Sequence, residues 1–239
     1  MEKIGLIAGY GKLPLIWAKA AQREDVQVHA FPVSEEYTIK LDDYTYTVDY
    51  LSLTELGKLI EKIKDYGIQK IIMLGKVNKK HLFENNDFDQ RFIKLFQNSQ
   101  NFEDHIILKK LVEEFQKEGI EVVKQNLFLD DLLVKEGPLN SVKPSQELLE
   151  EMKYAFQKAK DIANLDIGQT ILTKSKAVVA VEALEGTDQA IKRAGHLVNE
   201  GAVMAKVSRR DHDFRFDIPT IGPDTVKNLI SINAAGLVL

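Results

Sequence analysis

The 239-residue sequence contains no cysteine. Disulfides and thiolate metal sites are therefore excluded, although that absence assigns no compartment. No stretch approaches the roughly 20 apolar residues that a membrane-spanning helix requires. The N-terminus, Met-Glu-Lys, runs straight into a strand pattern, without the basic start and sustained apolar run of a secretory signal. A cytoplasmic protein is expected. There is no Gly-x-Ser-x-Gly nucleophile elbow. The histidines, at 29, 81, 105, 196 and 212, lack metal-ligand spacing. A formal net charge of −4 gives no overall attraction to nucleic acid. What is present is ordinary for a globular protein: 44% hydrophobic and 28% charged residues, enough for conventional cores in one large or two small domains.

The first part of the chain alternates strand and helix patterns. "KIGLIAG", "VQVHAF", "YTYTVDY", "IQKIIMLGKV" and "IEVVKQ" read as strands. Between them, "LPLIWAKAAQRE", "LTELGKLIEKIKDYG", "DQRFIKLFQ" and "DHIILKKLVEEFQKEG" read as helices. In the second of these, Leu53, Leu56, Leu59, Ile60 and Ile63 share a face, and Gly67 suits the residue just past the helix end. Such alternation implies an α/β fold, here a Rossmann-like parallel sheet with helical crossovers. A Pro- and Gly-containing linker, "VKEGPLNSVKPSQE", follows, and its Ser145 is placed to cap the next helix. A boundary near Gly137 to Pro144 divides the chain into residues 1–137 and a smaller α/β domain, residues 138–239, with a mixed sheet. There, "GQTILTKSKAVVAVEALEG" reads as two strands around a Lys-Ser-Lys turn, ending at Glu185-Gly186. The helix "TDQAIKRAGHLVNEG", the strand "AVMAKVSR" and the helical "PDTVKNLISINAAG" come after it.

Three places invite chemistry. "GLIAGYGKLP" sets Gly9 and Gly11, with Lys12 beside them, between strand one and helix one, where backbone N–H groups can approach a phosphate. The dinucleotide fingerprint would carry a third glycine where Pro14 stands, and the second strand lacks a terminal acid for a ribose. Both departures argue against NAD. A tight turn that binds nothing is the bland alternative. "LGKVNKK" places Gly75 and Lys76 at another strand end, with Lys79 and Lys80 adding positive charge. A solvated loop is the competing reading. In "VVAVEALEGTDQ", Glu185, Gly186, Thr187 and Asp188 open a helix whose unpaired N–H groups, with the Thr187 hydroxyl, could hold a phosphate oxygen. Glu185 and Asp188 are hard donors of the kind Mg²⁺ or Mn²⁺ prefers. Thr187 as an N-cap, with Asp188 complementing the helix dipole, is the plain structural account. That account leaves Glu182 and Glu185 unexplained in a strand rich in valine and alanine.

"DFRFDIPTIGP", Asp213 to Pro223, reads as an amphipathic strand. Asp213, Arg215 and Asp217 fall on one face and Phe214, Phe216 and Ile218 on the other. With Lys206 in "AVMAKVS" and the amide Gln169 in "DIGQ", the charged face makes a polar set. With no visible nucleophile, hydrolysis would rest on carboxylates, a hard metal and basic groups, a combination suited to phosphoryl chemistry.

Taken together, "IGLIAGYGKLPL", "GKVNK", "LDIGQ", "EALEGTDQAIKRAG" and "FRFDIPTIGPDTV" resemble, in that order, the LpxI-type UDP-2,3-diacylglucosamine pyrophosphatases of lipid A biosynthesis. The family pattern continues past "AAGL" with a further strand, whereas this chain stops at Leu239, a departure that touches the second sheet and not the motifs. The resemblance implies a site in an interdomain cleft. It implies hydrolysis of UDP-2,3-diacylglucosamine to UMP and 2,3-diacylglucosamine 1-phosphate (lipid X) with Mg²⁺ or Mn²⁺. Carried over by motif, Asp217 is the residue most needed for chemistry, as metal ligand or activator of water, with Asp188 a second metal ligand. Glu185, Gly186, Thr187, Asp188, Gln169, Lys206 and Arg215 would line phosphate and sugar, and Gly11, Lys12, Gly75 and Lys76 would contribute from the other domain. The partners implied are the lipid substrate and product, the inner membrane in transient contact, and a second copy in a homodimer. Two other readings stand beside this one: a nicotinamide-dependent oxidoreductase and a non-catalytic sugar-nucleotide sensor.

Overall fold

The computed structural model describes residues 1–33, 40–77, 88–97 and 104–239. The chain divides into two units. One is Met1–Leu133 with Phe214–Asp217; the other is Val134–Asp213 with Ile218–Leu239.

In the first unit, β1 (Lys3–Ala8), β2 (Gln27–Pro32), β3 (Thr47–Val48), β4 (Lys70–Leu74) and β5 (Glu121–Val122) form an all-parallel sheet in the order β3-β2-β1-β4-β5. The helices are α1 (Leu13–Arg23), α2 (Leu56–Asp65), α3 (Gln90–Phe96) and α4 (Asp104–Lys117). Parallel strands covered on both faces read as unbroken apolar runs rather than alternation. Ile4, Leu6 and Ala8 of β1 pack with Trp17 and Ala18 of α1, while Ile7 joins Leu59, Ile60 and Ile63 of α2 and Phe115 of α4. The α2 stripe is the one its spacing predicts, although Leu53 precedes the helix. Gly67 follows α2 at φ +66°, and the Ile68 N–H reaches back to the Ile63 carbonyl at 3.0 Å, closing the helix in a Schellman arrangement.

His29, 2% exposed on β2, lies 2.9 Å by its Nδ1 from Thr47 Oγ1 and stacks on Tyr66 at 4.8 Å between ring centroids. Burial, and then the Lys3 charge, lower its pKa.

The second unit opens with α5 (Gln146–Asn164), whose N-cap Ser145 accepts a hydrogen bond from the Leu148 N–H at 3.2 Å. Its sheet is mixed, in the order β7-β6-β8-β9, from β6 (Thr170–Lys174), β7 (Ala177–Val181), β8 (Val203–Lys206) and β9 (Gly236–Val238). Ser175 and Lys176 turn β6 into β7, both at positive φ, as the Lys-Ser-Lys reading anticipates. The small residues Ala155, Ala159 and Ala163 let α5 lie close on Ile171, Val203 and Ala205. The opposite face, with Leu172 and Met204, is covered by α6 (Thr187–Val198) and α7 (Pro223–Ser231). β9 pairs parallel with β8 and gives the sheet a fourth strand within "AAGLVL".

Two element readings are corrected. β7 ends at Val181, not at Glu185, because β6 begins at Thr170 and offers no partner beyond the Glu182 N–H bonded to the Thr170 carbonyl. Residues 213–218 are not a strand: they form a turn, Asp217 takes the left-handed conformation at φ +53°, and the alternating faces are lost. Phe216 alone is buried, in the first unit's core with Ile7 and Phe31, whereas Phe214 is 44% exposed.

Two stability outcomes follow. A Cβ at Gly195 of α6 would stand 2.4 Å from Ile232 Cγ2 and 3.0 Å from its Cβ. Ile232 is β-branched and stiff, so overpacking of about 1–3 kcal/mol outweighs the roughly 1 kcal/mol helix gain of alanine. Gly195→Ala will lower the thermal midpoint by roughly 2–4 °C. The depressed His29 pKa contributes stability that is full above the ordinary imidazole value of about 6.5 and is lost as pH falls through the lower folded value. Urea titrations between pH 7 and 5 will show a fall in stability that His29→Gln flattens.

Candidate functional site

In a doubly wound sheet the crossovers reverse beside β1, and ligands sit beyond the carboxyl ends of the strands there. Here the β1 and β4 ends are tied to each other. The Gly9 N–H donates to the Leu74 carbonyl at 2.8 Å, the Tyr10 N–H to the Lys76 carbonyl at 2.8 Å, and the Lys76 N–H to the Tyr10 carbonyl at 2.9 Å. A Cβ on Gly9 would lie 2.3 Å from the Lys76 carbonyl oxygen, and one on Gly75 would lie 2.6 Å from that of Gly9. Only glycine permits this approach of two backbones. Gly11 differs: at φ +106° it faces space with nothing within 4 Å of a Cβ position. Lys12, exposed, precedes α1 and supplies no side-chain cap, so the positive end of the helix dipole lies beside Gly11. The two glycine loops are thus one device that includes Lys76. Lys79 and Lys80 lie outside the described residues.

The same sheet end holds the segment Phe214–Asp217. Gln125, just past β5, donates its side-chain amide to the Met73 carbonyl at 2.6 Å and its backbone N–H to the Phe214 carbonyl at 2.8 Å. Phe216 anchors the segment in the core, leaving Arg215 half-buried and Asp217 exposed. Arg215 and Asp217 therefore belong to the first unit, which also holds the glycine device, rather than to a strand of the second.

In the second unit Lys206 ends β8 with only 9% of its surface exposed. Its Nζ donates to Thr187 Oγ1 at 2.8 Å and to Thr170 Oγ1 at 3.2 Å, and stands 3.6 Å from Glu182 Oε2. Thr187 is the first residue of α6 after the N-cap Gly186 and makes no side-chain cap; its hydroxyl donates to Glu182 Oε1 at 2.6 Å. Gly186, not Thr187, is therefore the N-cap of α6. Gln169 adjoins β8 through its carbonyl, which accepts the Val207 N–H at 2.9 Å. The preceding Gly168 crosses Glu182 so closely that a Cβ would lie 2.1 Å from the Glu182 carbonyl oxygen.

The remaining members of the "EGTD" loop are partly engaged. Glu185 pairs with Arg193 at 2.6 Å, and Asp188 Oδ1 accepts from Asn228 of α7 at 2.8 Å. Among the described residues no group of three or more His, Asp or Glu side chains gathers as a metal cage. No helix there is long and apolar enough to cross a membrane. Sequence reasoning underrates Glu182 and Gln125. Glu182 carries one signal, an acid amid valine and alanine, and Gln125 carries none.

A parallel doubly wound unit with a stitched glycine device, and a mixed-sheet unit with a buried lysine under a helix start, define a two-part α/β protein. Models of the LpxI N-terminal domain and the LpxI C-terminal domain match residues 3–132 and 135–239, and the chain belongs to the LpxI family. It is similar to the UDP-2,3-diacylglucosamine pyrophosphatase LpxI of Caulobacter vibrioides, 29% identical over 257 residues that span 100% of this chain and 88% of that protein. Among solved structures it has likenesses to the ADP complex of N5-carboxyaminoimidazole ribonucleotide synthetase, with TM-score 0.31, 13% identity and coverage of 97% of this chain and 44% of that one. Another is the biotin carboxylase of Campylobacter jejuni, with TM-score 0.33, 11% identity and coverage of 82% and 42%. The chain spans less than half of either, and scores this low leave no shared fold to argue from.

The glycine device separates structure from ligand approach. Gly75→Ala meets backbone at a positive φ and will cost solubility or several degrees of thermal stability. Gly11→Ala meets nothing and bears only the strain of its φ, of order 1–3 kcal/mol. It will fold, with loss of phosphate-ligand affinity in calorimetry exceeding any loss of stability.

Proposed function

We propose that this chain hydrolyses the pyrophosphate bond of UDP-2,3-diacylglucosamine, releasing UMP and 2,3-diacylglucosamine 1-phosphate. The observation that carries the reading is the match of both LpxI family models, in order, over residues 3–132 and 135–239. The Caulobacter relative named for this activity aligns along the whole chain. The geometry supplies groups the reaction needs. A diphosphate resists attack because its oxygens repel a nucleophile, so catalysis rests on charge neutralisation and positioning. Lys206 and the uncapped N-terminus of α6 answer that need in the second unit, and the backbone of Gly11 and Lys12 with the Lys76 side chain answers it in the first.

Asp217 is the carboxylate we assign to chemistry. It is exposed, and its left-handed backbone sits one residue beyond the buried Phe216, which fixes where it emerges. It activates water or holds Mg²⁺ or Mn²⁺. Mg²⁺ commonly binds through one or two carboxylates together with substrate phosphates, a donor set that Asp217, with Asp188, can provide. Such a metal supplies neutralisation of the diphosphate oxygens. The diacyl substrate is membrane-resident, so the reaction takes place at the cytoplasmic leaflet.

The test is UMP release from UDP-2,3-diacylglucosamine with Mg²⁺ or Mn²⁺. Asparagine tolerates φ > 0 better than alanine does, so Asp217→Asn is the cleaner variant. It will lose at least about 100-fold in kcat with its melting temperature retained. Near wild-type turnover would remove Asp217 from the chemistry, and no UMP from the wild-type protein would remove the reaction.

A further inference from the structure

We propose that Glu182 and Thr187 are positioning residues that act through Lys206 and do not touch the substrate, an inference that rests on the proposed phosphoanhydride hydrolysis. An ammonium group has three protons and a flexible four-carbon stem, so a lysine alone is a poorly aimed charge. Here two of its directions are fixed, toward Thr187 Oγ1 at 2.8 Å and Thr170 Oγ1 at 3.2 Å. The Thr187 hydroxyl can accept from Lys206 only if its own proton points elsewhere, and Glu182 Oε1, at 2.6 Å, takes that proton. Glu182 Oε2 then faces Lys206 Nζ at 3.6 Å and offsets the charge of an almost buried cation.

The relay Glu182–Thr187–Lys206 is contiguous, and each member depends on the next. Glu182 follows β7, Thr187 opens α6 and Lys206 ends β8, so three elements converge on one ammonium. A threonine donating to a phosphate would need its proton free, and here that proton is spent on Glu182. The part of this cluster that acts on the diphosphate is therefore Lys206, and the other two set its place.

Residues that act as one unit give non-additive losses, whereas independent contacts multiply. Glu182→Gln and Thr187→Val will each lower kcat about 10- to 100-fold, the range typical of residues that orient a ligating or charged group. KM will stay within about threefold, because the lost neutralisation is of transition-state charge. Thr187→Ser will recover kcat to within about threefold of wild type by restoring the hydroxyl. The double variant will be no worse than the poorer single one. A multiplicative loss in the double variant, or either single variant at wild-type kcat, overturns the proposal. An activity-independent reading comes from ¹⁵N-lysine-labelled protein. An exchange-protected ammonium signal, assigned to Lys206 by its loss in Lys206→Met, will vanish in both single variants while their melting temperatures stay within about 3 °C of wild type. Thr187→Val keeps the shape of threonine and carries this test if Glu182→Gln fails to fold. If wild-type protein releases no UMP, the proposed reaction fails while the ammonium signal still decides the positioning. Persistence of that signal in the variants sinks the relay.

Discussion

A lysine ammonium withdrawn from water is the constraint around which the second unit is arranged. Desolvating such a charge costs several kcal/mol unless opposite charge and hydrogen-bond acceptors replace the lost water. Lys206 reaches that state because β8 is an inner strand, flanked by β6 and β9 and covered by α5 on one face and α6 and α7 on the other. The acceptors come from three directions: Thr170 on the neighbouring strand, Thr187 at the start of α6, and Glu182 in the turn between β7 and α6. A hydrophobic residue at 206 would fit such a strand without any of these partners. The chain instead carries a polar set that offsets the cost of the buried charge.

The first unit meets a different demand with backbone alone. Its stitched loops pair their own N–H and carbonyl groups across the ends of β1 and β4 and leave Gly11 and the start of α1 open beside them. The bridge between Tyr10 and Lys76 explains why glycine stands at both 9 and 75, and the open space at Gly11 shows where that explanation stops. Pro14 starts α1 in place of the third fingerprint glycine. The chain therefore lacks the full glycine fingerprint of a dinucleotide binder.

Much of this was legible from the residues. Apolar runs with no alternation mark β1, β2 and β4 because both faces of a parallel sheet are buried. The i, i+3, i+4, i+7 spacing marks α2, Gly67 marks its end, and Ser145 marks the start of α5. The edge strands were legible only in part: "YTYTVDY" pairs through Thr47–Val48 and "IEVVKQ" through Glu121–Val122, because a strand is only as long as its partner allows. The clearest misreading is Asp213 to Ile218. Phenylalanine alternating with charge has period two in any conformation, and nothing local states that Phe216 joins the core cluster that holds Ile7 and Phe31, some 200 residues earlier in the sequence. Glu182 was visible as an oddity, but its partner Lys206 is 24 residues on, across a helix and a strand.

That misreading bears on how Asp217 is held. On a strand, Asp217 would share its face with Asp213 and Arg215, and its place would depend on sheet register. In the turn, its backbone is left-handed, a conformation that costs an aspartate less than most residues but still costs something, and that persists only where the surroundings enforce it. The enforcement on the N-terminal side is visible: Phe216 in the core and the Phe214 carbonyl tied to Gln125, which is itself tied to β4. Immediately after Asp217, Ile218 and Pro219 belong to the second unit, and proline fixes the backbone it joins. The place of the Asp217 backbone is thus set by the buried residue before it and by a turn, not by sheet register.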